Sequence, residues 1–187
     1  MKILVTGSAG FVGGYLVEEL LKHNHVVVGI DNYCKYGKIK KSYDNVKNYF
    51  FTEGDVKDTK IMKEIISDCD QIVTLAAIVG GISFFNKFTY DLLSENEKIL
   101  TSTFDTAIWA FKNRKLKKIN VISTSMVYGN TALFPTPEGE QLKCPPPSTT
   151  YGFQKLMSEY FAKASYKQYG LPYTIIRLYN CDLSPKN

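Results

Sequence analysis

Three glycines, Gly7, Gly10 and Gly13, come directly after the short apolar run Lys2 to Thr6 and open a stretch of helical periodicity that continues to Lys22. A strand that reverses sharply into a helix needs residues without a Cβ, both at the turn and where the helix packs on the strand. The turn also leaves the first N–H groups of the helix, around Phe11 and Val12, unpaired beside a positive dipole end that suits a pyrophosphate. The N-terminus is thereby predicted to be the first strand-turn-helix unit of a parallel sheet. Gly7, Gly10, Phe11, Val12 and Gly13 become candidate contacts to a dinucleotide.

The rest of the chain continues the alternation. A second strand, Val26 to Ile30, ends in Asp31-Asn32. An acidic residue about 20 positions beyond the glycines is where a cofactor ribose presents its diol, and its charge repels a 2′-phosphate, which favours NAD over NADP. Asp-Asn is also good turn chemistry; together with the glycines it reads as a cofactor site. A third strand, Asn48 to Thr52, runs into Glu53-Gly54-Asp55-Val56, where Asp55 suits an adenine amino group and Val56 its ring. A helix from Lys57 to Cys69 leads to a fourth strand, Gln71 to Leu75, and the small residues Ala76 and Ala77 after it permit close approach of a ligand. The segment from Gly80 to Phe88 reads as a loop or short helix on the ligand side. A long helix, Tyr90 to Asn113, a fifth strand, Ile119 to Ser123, and a sixth, Pro172 to Leu178, complete the pattern. The fold predicted is α/β: a doubly wound Rossmann-like sheet of order 3-2-1-4-5-6 with helices on both faces.

Tyr151 and Lys155 stand four positions apart in a segment that follows three prolines and continues apolar at helical spacing to Gly170. On a helix they share one face. A phenol beside an ammonium is a proton acceptor, since the positive charge favours the phenolate. On the spacing alone, two exposed residues of an amphipathic helix are the better reading; only the surrounding motifs overturn it.

Composition removes other classes. The 187 residues, 44% hydrophobic and 22% charged, suit one globular domain, 1–187. The net charge of +5 is mild, and the basic run Lys112 to Lys118 reads as a solvated helix end rather than a nucleic-acid surface. Cys34, Cys69, Cys144 and Cys181 lack metal-ligand or disulfide spacing, and His23 and His25 lie far from them, so no metal is predicted. No signal peptide and no run of about 18 apolar residues is present, which predicts a cytoplasmic protein away from membranes.

The motifs Thr6-Gly7-Ser8-Ala9-Gly10-Phe11-Val12-Gly13, Asp31-Asn32, Gly54-Asp55-Val56, Leu75-Ala76-Ala77, Asn96, Ser123-Thr124-Ser125-Met126-Val127-Tyr128-Gly129, Tyr151-Gly152-x-x-Lys155 and Arg177-Leu178-Tyr179-Asn180 occur in one order over nearly the whole chain. In this the sequence resembles the extended short-chain dehydrogenase/reductase family of nucleotide-sugar epimerases and dehydratases. The resemblance implies NAD as cofactor and a nucleotide-sugar as substrate. It makes Tyr151 the base, Lys155 its partner on the nicotinamide ribose, and Thr124 the hydroxyl on the reacting oxygen, with Ser125 and Asn180 on the substrate side. Leu75, Ala76, Ala77 and Asn96 would stand on the cofactor side. It also implies a homodimer through a four-helix interface built from Tyr90 to Asn113 and Tyr151 to Tyr169.

Three departures shape the expectation. Met126 replaces the acid that dehydratases and decarboxylases of the family often carry, which favours epimerisation by transient oxidation and hydride return over elimination. Val79 replaces a basic residue of the family's 4-epimerases. The family's smaller C-terminal domain is largely missing, so the 187 residues alone are expected to bind NAD and turn over little. Dehydratase or dehydrogenase chemistry is the alternative enzymatic reading; a non-catalytic NAD-binding module is the other.

Overall fold

The computed structural model describes residues 1–80 and 87–179. Six strands, β1 (Lys2–Thr6), β2 (Val26–Asp31), β3 (Tyr49–Glu53), β4 (Gln71–Thr74), β5 (Lys118–Thr124) and β6 (Tyr173–Leu178), form a parallel sheet in the order β3-β2-β1-β4-β5-β6. Helices α1 (Phe11–Lys22), α2 (Thr59–Ile66), α3 (Thr89–Asn113) and α4 (Thr150–Tyr169) run between them. This is the predicted Rossmann-like order, and the sheet direction turns between β1 and β4, where the chain leaves a crevice at the strands' C-terminal ends.

Alternation along β1 explains the layers. Ile3 and Val5 pack with Val17, Val27, Val73 and Ile122 on the α1 side. Leu4, between them, faces the opposite side, where Met62, Ile66, Ile72, Phe104, Ile119 and Ala162 join the elements of the larger core. A central parallel strand is apolar on both faces, and each such fully buried side chain is worth about 1.5–3 kcal/mol.

Boundaries follow local capping. The Asp58 carboxylate accepts hydrogen bonds from the Lys60 and Ile61 N–H groups, so α2 begins after it rather than at Lys57. Thr149 caps α4 by accepting the Gly152 N–H at 3.1 Å, and Gly170, at φ +75, ends it in the left-handed conformation. The basic run between α3 and β5 is occupied locally: Lys115 pairs with Asp68 at 2.7 Å, Lys117 with Asp70 at 3.4 Å, and Lys112 lies 3.9 Å from the Tyr169 ring centroid. No helix among the described residues is long and apolar enough to cross a membrane.

Candidate active site

The glycine turn closes the floor of the crevice. Gly7 adopts φ +70 and donates its N–H to the Ile30 carbonyl at 2.9 Å. A methyl there would stand 2.8 Å from the Ala76 nitrogen, and one on Gly13 would stand 2.1 Å from the Gly7 oxygen. Both positions therefore exclude any side chain, and the backbone passes where a ligand's phosphates approach. Thr6, fully buried, holds the neighbouring strand end: its hydroxyl accepts the N–H groups of Leu75 and Ala76, each at 3.1 Å. These bonds stop β4 at Thr74, one residue earlier than predicted, and splay the chain open.

A cavity of about 370 Å³ starts at this turn and extends in both directions, lined at one end by Asp31 and Asp55 and at the other by Tyr151 and Lys155. All the predicted cofactor contacts except Asn96 lie on its wall: Gly7, Gly10, Phe11, Val12, Gly13, Asp31, Asn32, Asp55, Val56, Leu75, Ala76 and Ala77. Asp31 is oriented by the N–H groups of Ala9 at 3.1 Å and Tyr33 at 2.8 Å. Tyr33 sits at φ +57, an uncommon conformation for a non-glycine residue, which turns the segment Cys34 to Gly37 over the cavity. Asn32 donates to Asp55 at 3.4 Å, joining the ends of β2 and β3.

Asn96 lies off the lining of this cavity. Its amide accepts the Ile78 N–H at 2.7 Å, donates to the Ile78 carbonyl at 2.9 Å, and donates to Gln154 at 3.2 Å. Both functions are spent on fixing the backbone beyond β4, so Asn96 positions the cavity wall without standing on it. It lines instead a chamber of about 50 Å³ behind Tyr151 and Lys155.

The predicted chemical groups converge. The Thr124 side chain stands close enough to the Tyr151 phenol to act on its pKa, and Lys155 donates its Nζ–H to the Ile122 carbonyl at 2.8 Å. Residues 122 to 124 of β5 thus meet one face of α4. The electrostatics differ from the expectation. Burial raises the Tyr151 pKa, and the Thr124 hydroxyl beside it only opposes this, so the phenol is not held as phenolate by its lysine neighbour. Lys155 is the perturbed group: burial lowers its pKa from 10.5 to about 8, so its positive charge is weakly held near neutral pH. Thr124 is buried and its hydroxyl also caps the following turn, Ser125–Tyr128, by accepting the Met126 N–H at 3.3 Å. Ser125 is half-buried beside it, outside the cavity lining. Asn180 and residues 81–86 of the predicted ligand-side segment lie outside the described residues.

Several residues of the site received no role of their own from the sequence, although Gly152, Ser123 and Arg177 stand in its motifs. Gly152 is one: a methyl there would stand 2.7 Å from the Met126 carbonyl and 2.8 Å from Pro147, so α4 can start beside the Ser125–Tyr128 turn only with glycine. Ser123, the fully buried Glu159 and the partly buried Arg177 form a hydrogen-bonded network below the face that carries Tyr151 and Lys155.

Comparison with known proteins agrees with this fold. The chain is 30% identical to an uncharacterized UDP-glucose epimerase, YtcB, of Bacillus subtilis, over 96% of this chain and 56% of the relative. It is 31% identical to a UDP-N-acetyl-alpha-D-glucosaminuronate decarboxylase of Bacillus cytotoxicus, over 96% and 54%. Among solved structures it resembles the UDP-glucuronic acid 4-epimerase of Bacillus cereus in complex with UDP-glucuronic acid and NAD, with TM-score 0.78, 30% identity, and coverage of 95% of this chain and 56% of that one. The UDP-glucose 4-epimerase of Thermotoga maritima, solved with UDP-glucose, gives TM-score 0.78 at 29% identity, over 95% and 55%. The chain spans about half the length of the curated relatives it matches. With residues 3–181 matching the family model, the chain belongs to the NAD dependent epimerase/dehydratase family.

Proposed function

We propose that residues 1–187 form the NAD-binding domain of a nucleotide-sugar epimerase that works by transient oxidation of a sugar carbon. The observation that carries this reading is a cavity lined at one end by Tyr151 and Lys155 and at the other by Asp31, with the glycine turn between them and Thr124 beside the Tyr151 phenol. The residues fit NAD: Gly7 and Gly13, where any Cβ would strike the chain's own backbone, hold a tight turn on the cavity wall, and the Asp31 carboxylate suits an unphosphorylated ribose diol.

NAD, when bound, supplies the hydride acceptor. The chain's own residues handle the proton and the geometry. Thr124 orients the sugar hydroxyl by hydrogen bonding, and Tyr151 takes its proton. Because burial raises the phenol's pKa, Tyr151 becomes a competent base only when positive charge enters the cavity beside it. Lys155 supplies part of that charge and holds the ribose hydroxyls once its ammonium leaves the Ile122 carbonyl. Returning the proton from Tyr151 and the hydride to the opposite face of the ketone gives the epimer.

Met126 supports epimerisation over water loss, because a thioether neither donates nor accepts the proton that elimination requires, and it is exposed at the turn after Thr124. We also assign the α3 and α4 faces to a homodimer, with Phe153 and Tyr160, seven residues apart on α4, exposed on one stripe. Calorimetric titration with NAD, followed by incubation with UDP-hexoses and chromatographic analysis of the sugar, tests the whole reading. Binding of NAD with appearance of the epimer supports it; a dehydrated product or net NADH release moves the chain to the other branch. Absence of NAD binding removes it.

A further inference from the structure

The ion pair beneath the reacting groups does not touch the cavity's ligand space, yet it is built to hold it in shape. Glu159 is fully buried on α4. Its Oε1 accepts the Arg177 Nε–H at 2.8 Å and the Ser123 hydroxyl at 2.7 Å, while its Oε2 accepts the Arg177 Nη2–H at 2.8 Å. Arg177 sits on β6 directly opposite Ser123 in the sheet register, and its remaining Nη1 donates to the Tyr128 hydroxyl at 2.8 Å. Tyr128 in turn ends the short helix that Thr124 caps.

Tyr151, Lys155 and Glu159 follow one another at four-residue intervals, so they lie on one face of α4. That face meets three consecutive residues of β5: Tyr151 faces Thr124, Lys155 bonds the Ile122 carbonyl, and Glu159 bonds Ser123. Only at the third is the helix residue also held by an ion pair, to Arg177 on the next strand. A carboxylate placed with no exposure costs far more than a surface one, and the bidentate guanidinium offsets that cost only in this geometry. Apolar side chains would fill the same space without the need for a partner.

Building on the function proposed above, we propose that Glu159 and Arg177 are positioning residues, which set the register of α4 against β5 and thereby place Lys155 and Tyr151 at the nicotinamide end of the cavity. The adenosine end, at Asp31 and Asp55, belongs to β2 and β3 and shares no bond with this network. The two ends of one ligand therefore separate positioning from general stability.

The test compares binding of NAD and of AMP, by calorimetry, to the wild-type chain, Glu159→Gln and Ser123→Ala, each verified as folded by circular dichroism. In Glu159→Gln, NAD affinity is expected to fall by about tenfold or more, the scale of one charge-assisted hydrogen bond lost, while AMP affinity stays within about twofold. Ser123→Ala removes the hydroxyl anchor at a residue that also lines the cavity, and is expected to shift the NAD-to-AMP ratio in the same direction by a smaller factor. If Glu159→Gln fails to fold, Arg177→Lys, at a residue off the cavity lining, takes its place and is expected to shift the ratio the same way. An unchanged ratio in the folded variants, or parallel loss of both ligands, overturns the positioning role and leaves the NAD assignment intact. Failure of the wild-type chain to bind NAD at all removes the underlying reading instead.

Discussion

Lys155 donates its ammonium to the Ile122 carbonyl at 2.8 Å, across the interface between α4 and β5. The bond satisfies a buried cation with a neutral acceptor alone, which is why burial lowers the Lys155 pKa to about 8. A group tuned in this way is poised to accept a better partner, such as a ribose diol, and it has consequences for stability.

The sign follows from linkage. Between pH 8 and 10.5 the unfolded lysine keeps a proton that the folded one has lost, so stability rises with pH through that window and the full cost of the buried charge is borne below it. Tyr49, pushed up to about 12, acts oppositely above pH 10. Lys155→Met should therefore raise stability at neutral pH by about 1–2 kcal/mol, a figure reduced for the lost hydrogen bond and the partly solvated stem. The advantage should shrink toward pH 10 in urea melts. A difference that does not change with pH would show that the buried charge carries no cost.

Tyr151→Phe removes the proton acceptor and leaves the ring. NAD affinity should change by less than about threefold, while single-turnover reduction of NAD by the correct nucleotide-sugar should slow by about 10²–10⁴, the usual worth of a positioned acid or base. Equal rates in the two proteins would take Tyr151 out of the chemistry.

The glycines supply an internal control. Gly13→Ala drives a methyl to 2.1 Å from the Gly7 oxygen, whereas Gly139→Ala, at φ +90, meets nothing within 4 Å. The first should cost about 2–4 kcal/mol and abolish NAD binding through displacement of the turn; the second should cost only about 1 kcal/mol of backbone strain, with binding kept. Thermal melts and calorimetry together check both halves.

Asp31→Asn removes the charge and keeps an acceptor for only one of the Ala9 and Tyr33 N–H groups, which bond separate oxygens of the carboxylate. The ratio of NAD to NADP affinity should fall by about tenfold, since the repulsion of a 2′-phosphate disappears. A ratio unchanged in competition titrations would place the ribose elsewhere.

Phe153→Glu together with Tyr160→Glu puts charge on the exposed stripe of α4 without entering the core. If that face joins two copies, sedimentation should shift from dimer to monomer with the melting temperature of each domain little altered. A monomeric wild type would dispose of the interface.

Much of this architecture could be read from local patterns. The run Lys2 to Thr6 before Gly7 and the stop at Gly170 are set by neighbours in the chain, so strand and helix order followed from period and punctuation, whereas the cap at Asp58 emerged only in the fold. The four-residue spacing of Tyr151 and Lys155 likewise needed only a helix.

What the chain order could not show is who meets whom across the sheet. Thr124 reaches Tyr151, Ser123 reaches Glu159 and then Arg177, and Asn96 spends its amide on Ile78, because β5 lies between β4 and β6 with α4 packed on it in one register. The same holds for charge. The sequence placed a cation next to a phenol, but only burial determines that Lys155 is the group whose proton is loosened while the Tyr151 phenol is held neutral. Spacing specifies which side chains share a face; the desolvation each one undergoes depends on everything packed against that face, and this exists only once the chain has folded.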